Sequence, residues 1–324
     1  MKRASIIIPV FNTEKLLERC LNSVIIQDYS DFEVICIDDC STDGSVTILK
    51  KFESQYRDKL KVLYNSENIG QGLSRMKGIK ASSGNYIFFV DSDDYIDEHY
   101  ISTYMSYVLD EAYDVVVGGF IQDDEGTLKK YQVEPTIWSI VSYSHACCKL
   151  YSRDFIIDNN IDFGCFRKGE DIYFSLLLVL HGAKHKFIDY CGYYYYVNHN
   201  STTKSMSWGS NFECVVSDMF TKLLSNIGDI DYSMQQFLEY AYMAGMVNAL
   251  ITYGHGCKMK IMKRKYGFFI EDIHKKFPNI KKNKMIYKLH FEGPTIKCRV
   301  GVFVTAFAMR MHIDKVLYAI ISLV

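Results

Sequence analysis

The chain has 324 residues, of which 48% are hydrophobic, and a formal net charge of -1. These values exclude a disordered chain and a protein that coats nucleic acid. The length exceeds what one ordinary core needs, so one large domain with a C-terminal extension is expected.

Ten cysteines without paired Cys-x-x-Cys spacing, and no N-terminal secretory pattern, imply free thiols in a reducing cytoplasm. Ala4 to Val10 is apolar apart from one serine, as a strand buried on both faces requires, and Pro9 lies near its end, where it harms no ladder. Leu16, Leu17, Cys20, Leu21 and Val24 then recur at helical spacing, with Asn12 or Thr13 as cap. Phe32 to Ile37 predicts the next strand, ending in Asp38 and Asp39. A polar, glycine-closed turn leads into a helix from about Ser45 to Tyr56. Leu60 to Tyr64 predicts a short strand, Asn65 to Gly72 a loop, and the following helix carries Arg75 and Lys77. Tyr86 to Val90, opened by Gly84, predicts another buried strand. This alternation predicts an α/β fold, a mostly parallel sheet with right-handed crossovers.

That last strand runs into Asp91, Asp93 and Asp94. Carboxylates so close repel one another and lose hydration unless a cation or hydrogen bonds compensate. Mg²⁺ or Mn²⁺ suits the position, because either takes few protein carboxylates and completes its shell with phosphate oxygens and water. A solvated acidic turn is the alternative that these residues alone leave open. The same sheet edge receives Pro9, Val10, Phe11 and Asn12, which bring amides and an aromatic face, and the Asp39 carboxylate. An acceptor beside an aromatic face suits a pyrimidine ring, and acidic groups suit ribose hydroxyls. No Gly-x-Gly-x-x-Gly follows the first strand and no Gly-x-x-x-x-Gly-Lys-Ser/Thr occurs in the chain, which weighs against ordinary dinucleotide and P-loop binding.

Four ordered stretches then carry a resemblance: residues 8–12 (Ile-Pro-Val-Phe-Asn), 37–45 (Ile-Asp-Asp-Cys-Ser-Thr-Asp-Gly-Ser), 67–75 (Glu-Asn-Ile-Gly-Gln-Gly-Leu-Ser-Arg) and 90–94 (Val-Asp-Ser-Asp-Asp). They resemble the motifs of family 2 glycosyltransferases, nearest those of bacterial capsular and exopolysaccharide synthesis, as far as about residue 205. The resemblance implies the GT-A fold and inverting transfer from a nucleotide-diphosphate sugar. It implies that Pro9, Phe11 and Asp39 hold a uracil base, with Arg75 near the base or diphosphate. Asp91 would accept from the ribose and share a metal with Asp93. Val10, Asn12, Asn68, Gly70 and Ser92 join them as nucleotide-sugar contacts, and Asp94 lies behind them. Capping and turn formation account for Asp38 and Asp43.

Beyond this, Asp114 to Gly119 predicts a strand, Phe120 to Tyr131 a hairpin with Asp124-Glu125-Gly126 inside it, and His145 to Tyr151 a returning strand. Cys147 and Cys148 read as small buried hydrophobes, with zinc a remote alternative. His145 reads as a partly buried structural histidine, with metal or acceptor contact second, and Lys149 as solvated. Glu170 and Asp171 open the apolar helix Ile172 to Leu180, where the helix dipole alone would stabilise acids. The resemblance assigns Asp171 as the base that takes the acceptor's proton, with Glu170 positioning it. Tyr193 to Tyr196 and the following Ser-x-Thr resemble the segment that closes such domains, where many relatives carry Arg in place of Asn198 or His199. The sequon at Asn200 is set aside without a secretory signal.

These motifs predict a domain over residues 1–207, with a donor half to about 118, and a helical region over 208–324. That region includes helices from Phe212 to Ile227 and Tyr232 to Tyr253. Between residues 258 and 288 the net charge is +9, which leaves -10 for the rest. Such a block beside Phe268, Phe269 and Ile270 suggests an anionic membrane surface, with a solvated helix face as the plainer reading and nucleic acid excluded. Val300 to Met309 and Val316 to Val324 are too short to span a bilayer, which leaves interfacial anchoring or packing against a partner chain. The expected protein is a metal-dependent transferase at the inner face of the plasma membrane, moving a hexose from a UDP-sugar to a lipid-linked saccharide. It would work as a homo-oligomer or beside a partner glycosyltransferase. A nucleotidyltransferase, a nucleotide-sugar hydrolase and a non-catalytic binding subunit are the competing readings.

Overall fold

A computed structural model describes residues 3–142, 145–198, 212–254, 258–290, 294–311 and 313. It divides into two compact units: residues 1–135 with 139–200, and residues 136–138 with 201–324.

The first unit is built on β1 (Ala4–Val10), α1 (Glu14–Ile25), β2 (Phe32–Asp38), α2 (Ser45–Gln55), β3 (Leu60–Tyr64), α3 (Gln71–Ala81) and β4 (Tyr86–Phe89). Every residue of β1 is buried, as the apolar run predicts. The four strands pair in parallel in the order β4-β1-β2-β3, with Ile6 opposite both Val34 and Phe88. All their carboxyl ends therefore lie on one edge.

After β4 come β5 (Tyr95–Ile96), α4 (Tyr100–Ser106), β6 (Val115–Val117), β7 (Phe120–Asp124), β8 (Thr127–Tyr131), α5 (Ile137–Ser142), β9 (Lys149–Ser152), α6 (Arg153–Asp158), α7 (Glu170–Leu180), β10 (His185–Phe187) and β11 (Tyr193–Tyr196). Strand β9 runs antiparallel between β4 and β6, giving a seven-stranded sheet of order β10-β6-β9-β4-β1-β2-β3. A second sheet, β5-β11-β7-β8, contains the predicted hairpin. Its turn places Glu125 at φ 50 and Gly126 at φ 93, the pair of positive φ values that a two-residue hairpin needs.

Three elements differ from expectation. Strand β4 stops at Phe89 because the chain then turns, the Asp94 amide donating to the Asp91 carbonyl at 3.0 Å. The returning strand begins at Lys149, not His145: Cys148 has φ 62, which no regular strand accommodates, and the Tyr151 hydroxyl donates back to the Ala146 carbonyl. Helix α7 starts two residues early, at Glu170, because Gly169 at φ 82 sets the chain directly into it.

The second unit contains α8 (Phe212–Asn226), α9 (Tyr232–Gly254), α10 (Met259–Lys276), 3₁₀ turns at Ile280–Lys282 and Met285–Tyr287, and α11 (Ile296–Met311). Trp138 packs on Phe237 and Tyr240. Two members of the basic block point inward: Lys265 is buried on Glu213, and Lys276 donates to Asp272 at 2.6 Å. The other nine are exposed. Among the described residues no helix is long and apolar enough to cross a membrane. Residues 316–324 and the Ser-x-Thr and sequon positions 199–203 lie outside the described residues.

Candidate active site

The turn after β4 gives its three aspartates three environments. Asp91 accepts from Arg75 Nη2 at 2.7 Å and keeps 30% of its side chain exposed. Asp94 is buried and accepts from the Tyr193 hydroxyl at 2.6 Å and the Tyr196 amide at 2.8 Å. Burial, then the charges of Asp93 and Asp91, push its carboxyl up. The Tyr193 oxygen also accepts from the Asp91 amide at 3.1 Å, so β11 is sewn to both ends of the turn. Asp93 lies between them, half-buried. Burial and then the Asp91 charge raise it to about 6, opposed by a hydrogen bond from Asn198 and the charge of Arg19.

Arg19, which spacing did not single out, steadies this turn from α1. Its guanidinium lies over the rings of Tyr95 and Tyr196, 4.4 and 4.6 Å from their centroids, and donates to the Asp93 carbonyl at 3.0 Å. Tyr95 in turn stacks on Tyr194 at 4.5 Å.

At the ends of β1 and β2, Pro9 and Val10 are buried, whereas Phe11 is 43% exposed. Asn12 takes φ 52 and its Oδ1 accepts from the Thr42 amide at 2.8 Å, which locks the two strand ends together. Asp39 is buried and organises the loop before α3. One oxygen accepts from Asn65 Nδ2 and the Ile69 amide, the other from the Gly70 amide, all within 2.8–2.9 Å. Asn68 lies half-buried in the same loop. Ser92 is buried beside Thr13.

Helix α7 comes to this edge from the far side of the sequence. Arg75, entirely buried, donates Nη1 to Asp171 Oδ1 at 2.7 Å while Nη2 holds Asp91. The rings of Phe89 and Phe163 lie 5.8 and 5.4 Å from the guanidinium. Burial opposes the Arg75 charge, but the two carboxylates outweigh it and raise its pKa. Arg75 thus bridges two acids. Glu170 is buried and accepts from Gln71 Nε2. Burial lifts Asp171 to about 6, with Arg75 opposing.

Lys149, expected to be solvated, is buried, and its ammonium donates to the His145 carbonyl. Burial lowers its pKa to about 8, and the Asp171 charge opposes that. His145, expected to be partly buried, is exposed; loss of hydration among its neighbours and then the Lys149 charge lower its pKa, and its ring lies 5.8 Å from those of Phe120 and Tyr195. These three rings border a small pocket that reaches Asp91.

An acidic cluster at the carboxyl edge of a parallel half-sheet, one antiparallel strand beside it and a small second sheet fastened to the acids define the GT-A class. Residues 5–163 match the family model described as Glycosyl transferase family 2. The chain is 26% identical over 259 residues to glycosyltransferase GlyA of Streptococcus pneumoniae serotype 4, which covers 73% of this chain and 36% of that protein. It is 28% identical over 232 residues to the poly(ribitol-phosphate) beta-glucosyltransferase of Bacillus spizizenii, covering 68% and 37%. The chain therefore spans little more than a third of these relatives' length. The crystal structure of S. aureus TarS 1–349 in complex with UDP-GlcNAc matches with a TM-score of 0.72 at 21% identity, over 96% of this chain and 92% of that one. Residues 5–163 belong to glycosyltransferase family 2, and the chain has the GT-A fold.

Proposed function

We propose that the chain is an inverting glycosyltransferase that moves a hexose from a UDP-sugar to an acceptor hydroxyl, with Asp171 as base. The observation that carries this reading is the Arg75 bridge, which fixes the helix-borne carboxylate of Asp171 beside the donor-edge carboxylate of Asp91. In the reaction the acceptor oxygen attacks the anomeric carbon as its proton passes to Asp171. The bond from that carbon to the diphosphate oxygen breaks on the opposite face, and configuration inverts. A carboxyl titrating near 6 is mostly ionised at neutral pH yet more basic than an exposed aspartate, which suits this role.

The uridine assignment draws support from exposed Phe11 beside the strand ends, and from the UDP-GlcNAc complex of TarS. Asp39 would reach the uracil edge while its present bonds hold the loop. Asp93, desolvated beside Asp91, fits a divalent metal, since a cation would offset the unfavourable charge that raises it. Bound there, Mg²⁺ or Mn²⁺ would stabilise charge growing on the departing diphosphate. Among the described residues no three His, Cys, Asp or Glu side chains converge to hold an ion alone. Diphosphate oxygens would therefore supply much of its shell.

For the acceptor, the 37% exposed ring of Tyr195, beside Phe120 and His145, offers a face to a sugar. A lipid-linked capsular or exopolysaccharide intermediate at the cytoplasmic membrane face suits this site and the basic second unit. The Bacillus relative's name adds a polyol-phosphate chain to the acceptors to be tried.

Titration with UDP, with and without Mn²⁺, tests the map. Wild type and Asp171→Asn should bind UDP with metal, and Asp93→Ala should lose the metal-dependent part. Failure of wild type to bind UDP with metal present removes the uridine assignment. Release of free sugar with every acceptor offered would make the protein a hydrolase.

A further inference from the structure

We infer that the outward face of α11 rests on an anionic lipid bilayer. One side of this helix packs into the second unit through Val302, Thr305, Ala306, Ala308 and Met309. The other side leaves Ile296, Val300, Val304, Phe307 and Met311 from 42% to 65% exposed. At 3.6 residues per turn these five fall within an arc of about 80°, a continuous apolar stripe on the solvent side. Scattered exposed hydrophobics need no explanation, but five in line do.

The stripe has basic edges. Lys297 borders one side and Arg310 the other, both exposed, and α11 contains no acid. The second 3₁₀ turn and the segment after it run alongside: Arg310 lies over the Tyr287 ring at 5.6 Å, and Arg299 Nη1 donates to the Leu289 carbonyl at 3.1 Å. Exposed Lys284 and Lys288 flank that turn. Apolar side chains between rows of cations match the layers of an anionic membrane surface, acyl chains below and phosphates above. A soluble polyanion would be met by the cations alone and would leave the stripe wet. Among the described residues the helix is too short to span: 16 residues give about 24 Å against the roughly 30 Å of a bilayer core, and it carries Lys297, Arg299 and Arg310.

For its purpose, access to a lipid-linked acceptor, the inference rests on the transferase reading above. The test is co-sedimentation with vesicles of phosphatidylcholine alone or with one-third phosphatidylglycerol, run beside UDP titration and analytical ultracentrifugation. Wild type is compared with the triple variant Val304→Ser, Phe307→Ser, Met311→Ser, which alters exposed positions only. Wild type should bind the anionic vesicles at least tenfold more tightly than the neutral ones, and the variant at least tenfold more weakly than wild type, with UDP affinity unchanged. Equal binding by the variant, or no binding by wild type, overturns the inference. So does a wild-type dimer that becomes monomeric in the variant, which would assign the stripe to a second copy. Vesicle binding without UDP binding would sink the transferase reading alone, and UDP binding without vesicle binding would sink this one alone.

Discussion

Arg75 and Asp171 stand 96 positions apart in the chain and 2.7 Å apart in the fold, with the arginine wholly buried. A buried charge of this kind is held by its partners. Removing it would leave the Asp91 and Asp171 carboxylates facing each other without a cation. Arg75→Ala should therefore cost about 3–5 kcal/mol of stability, read by urea unfolding. Arg75→Lys keeps the charge but replaces a two-pronged donor by one ammonium, which cannot hold both acids in the same geometry. Its fold should survive and its kcat should fall by roughly 10²-fold, with little change in melting temperature. A wild-type kcat for Arg75→Lys would show that the bridge does not position the base.

The pH dependence follows from Asp171. Its carboxyl is raised to about 6, first by burial, and only the ionised form can take a proton. Activity should be full above about pH 7 and should drop close to tenfold per unit once the pH is below 6. Asp93 also titrates near 6 without metal, but a cation there would pull its titration down. With saturating Mn²⁺ the acid limb of kcat/KM should thus remain near 6 and belong to Asp171. Asp171→Asn should lose about 10²–10⁴-fold in rate and flatten that limb. A limb that moves with Mn²⁺ concentration would assign it to the metal site instead.

Much of this sheet edge was legible because its information is local. The runs of β1, β2 and β4 are almost wholly apolar, end in polar groups and alternate with helical segments, so strand, direction and shared edge follow from the local pattern. What was not legible depends on distant pairs. Nothing in the spacing tells Arg75 that its partners lie 16 and 96 residues away, nor Lys149 that it will be buried near Asp171. The two-residue β5 has no period to detect, yet it completes the sheet that holds Tyr193 and Tyr194 in place. Cys148 ends the predicted strand by a backbone angle that its side chain does not announce. By spacing Arg19 is an ordinary polar position of α1, and only the fold brings Tyr95 and Tyr196 around it.

The contact between α3 and α7 yields a sharper test of how the base is held. A Cβ built on Gly72 would come within 2.9 Å of Phe163 Cβ and 3.3 Å of Glu170 Cγ. Gly72→Ala must therefore shift the start of α7, which carries Asp171. Overpacking of this sort costs about 1–3 kcal/mol, so the melting temperature should fall by a few degrees. The donor contacts of β1, β2 and β4 are untouched, and UDP affinity should hold within about twofold while kcat drops at least tenfold.

The last test concerns Tyr193, which joins the turn from Asp91 to Asp94 to the second sheet. Its hydroxyl gives a hydrogen bond to Asp94 and receives one from the Asp91 amide, at 2.6 and 3.1 Å. Tyr193→Phe keeps the ring in its buried place and removes only that oxygen. Asp94 then loses one of two donors and the Asp91 amide loses its acceptor, which should cost about 1–3 kcal/mol. The turn that presents Asp91 and Asp93 would also loosen, so apparent affinity for Mn²⁺ with UDP should fall several-fold. Because Asp171 is anchored through Arg75 and not through Tyr193, the acid limb of the pH profile should stay where it is. A variant that binds metal and UDP normally, with an unchanged melting temperature, would show that the turn holds its shape without β11.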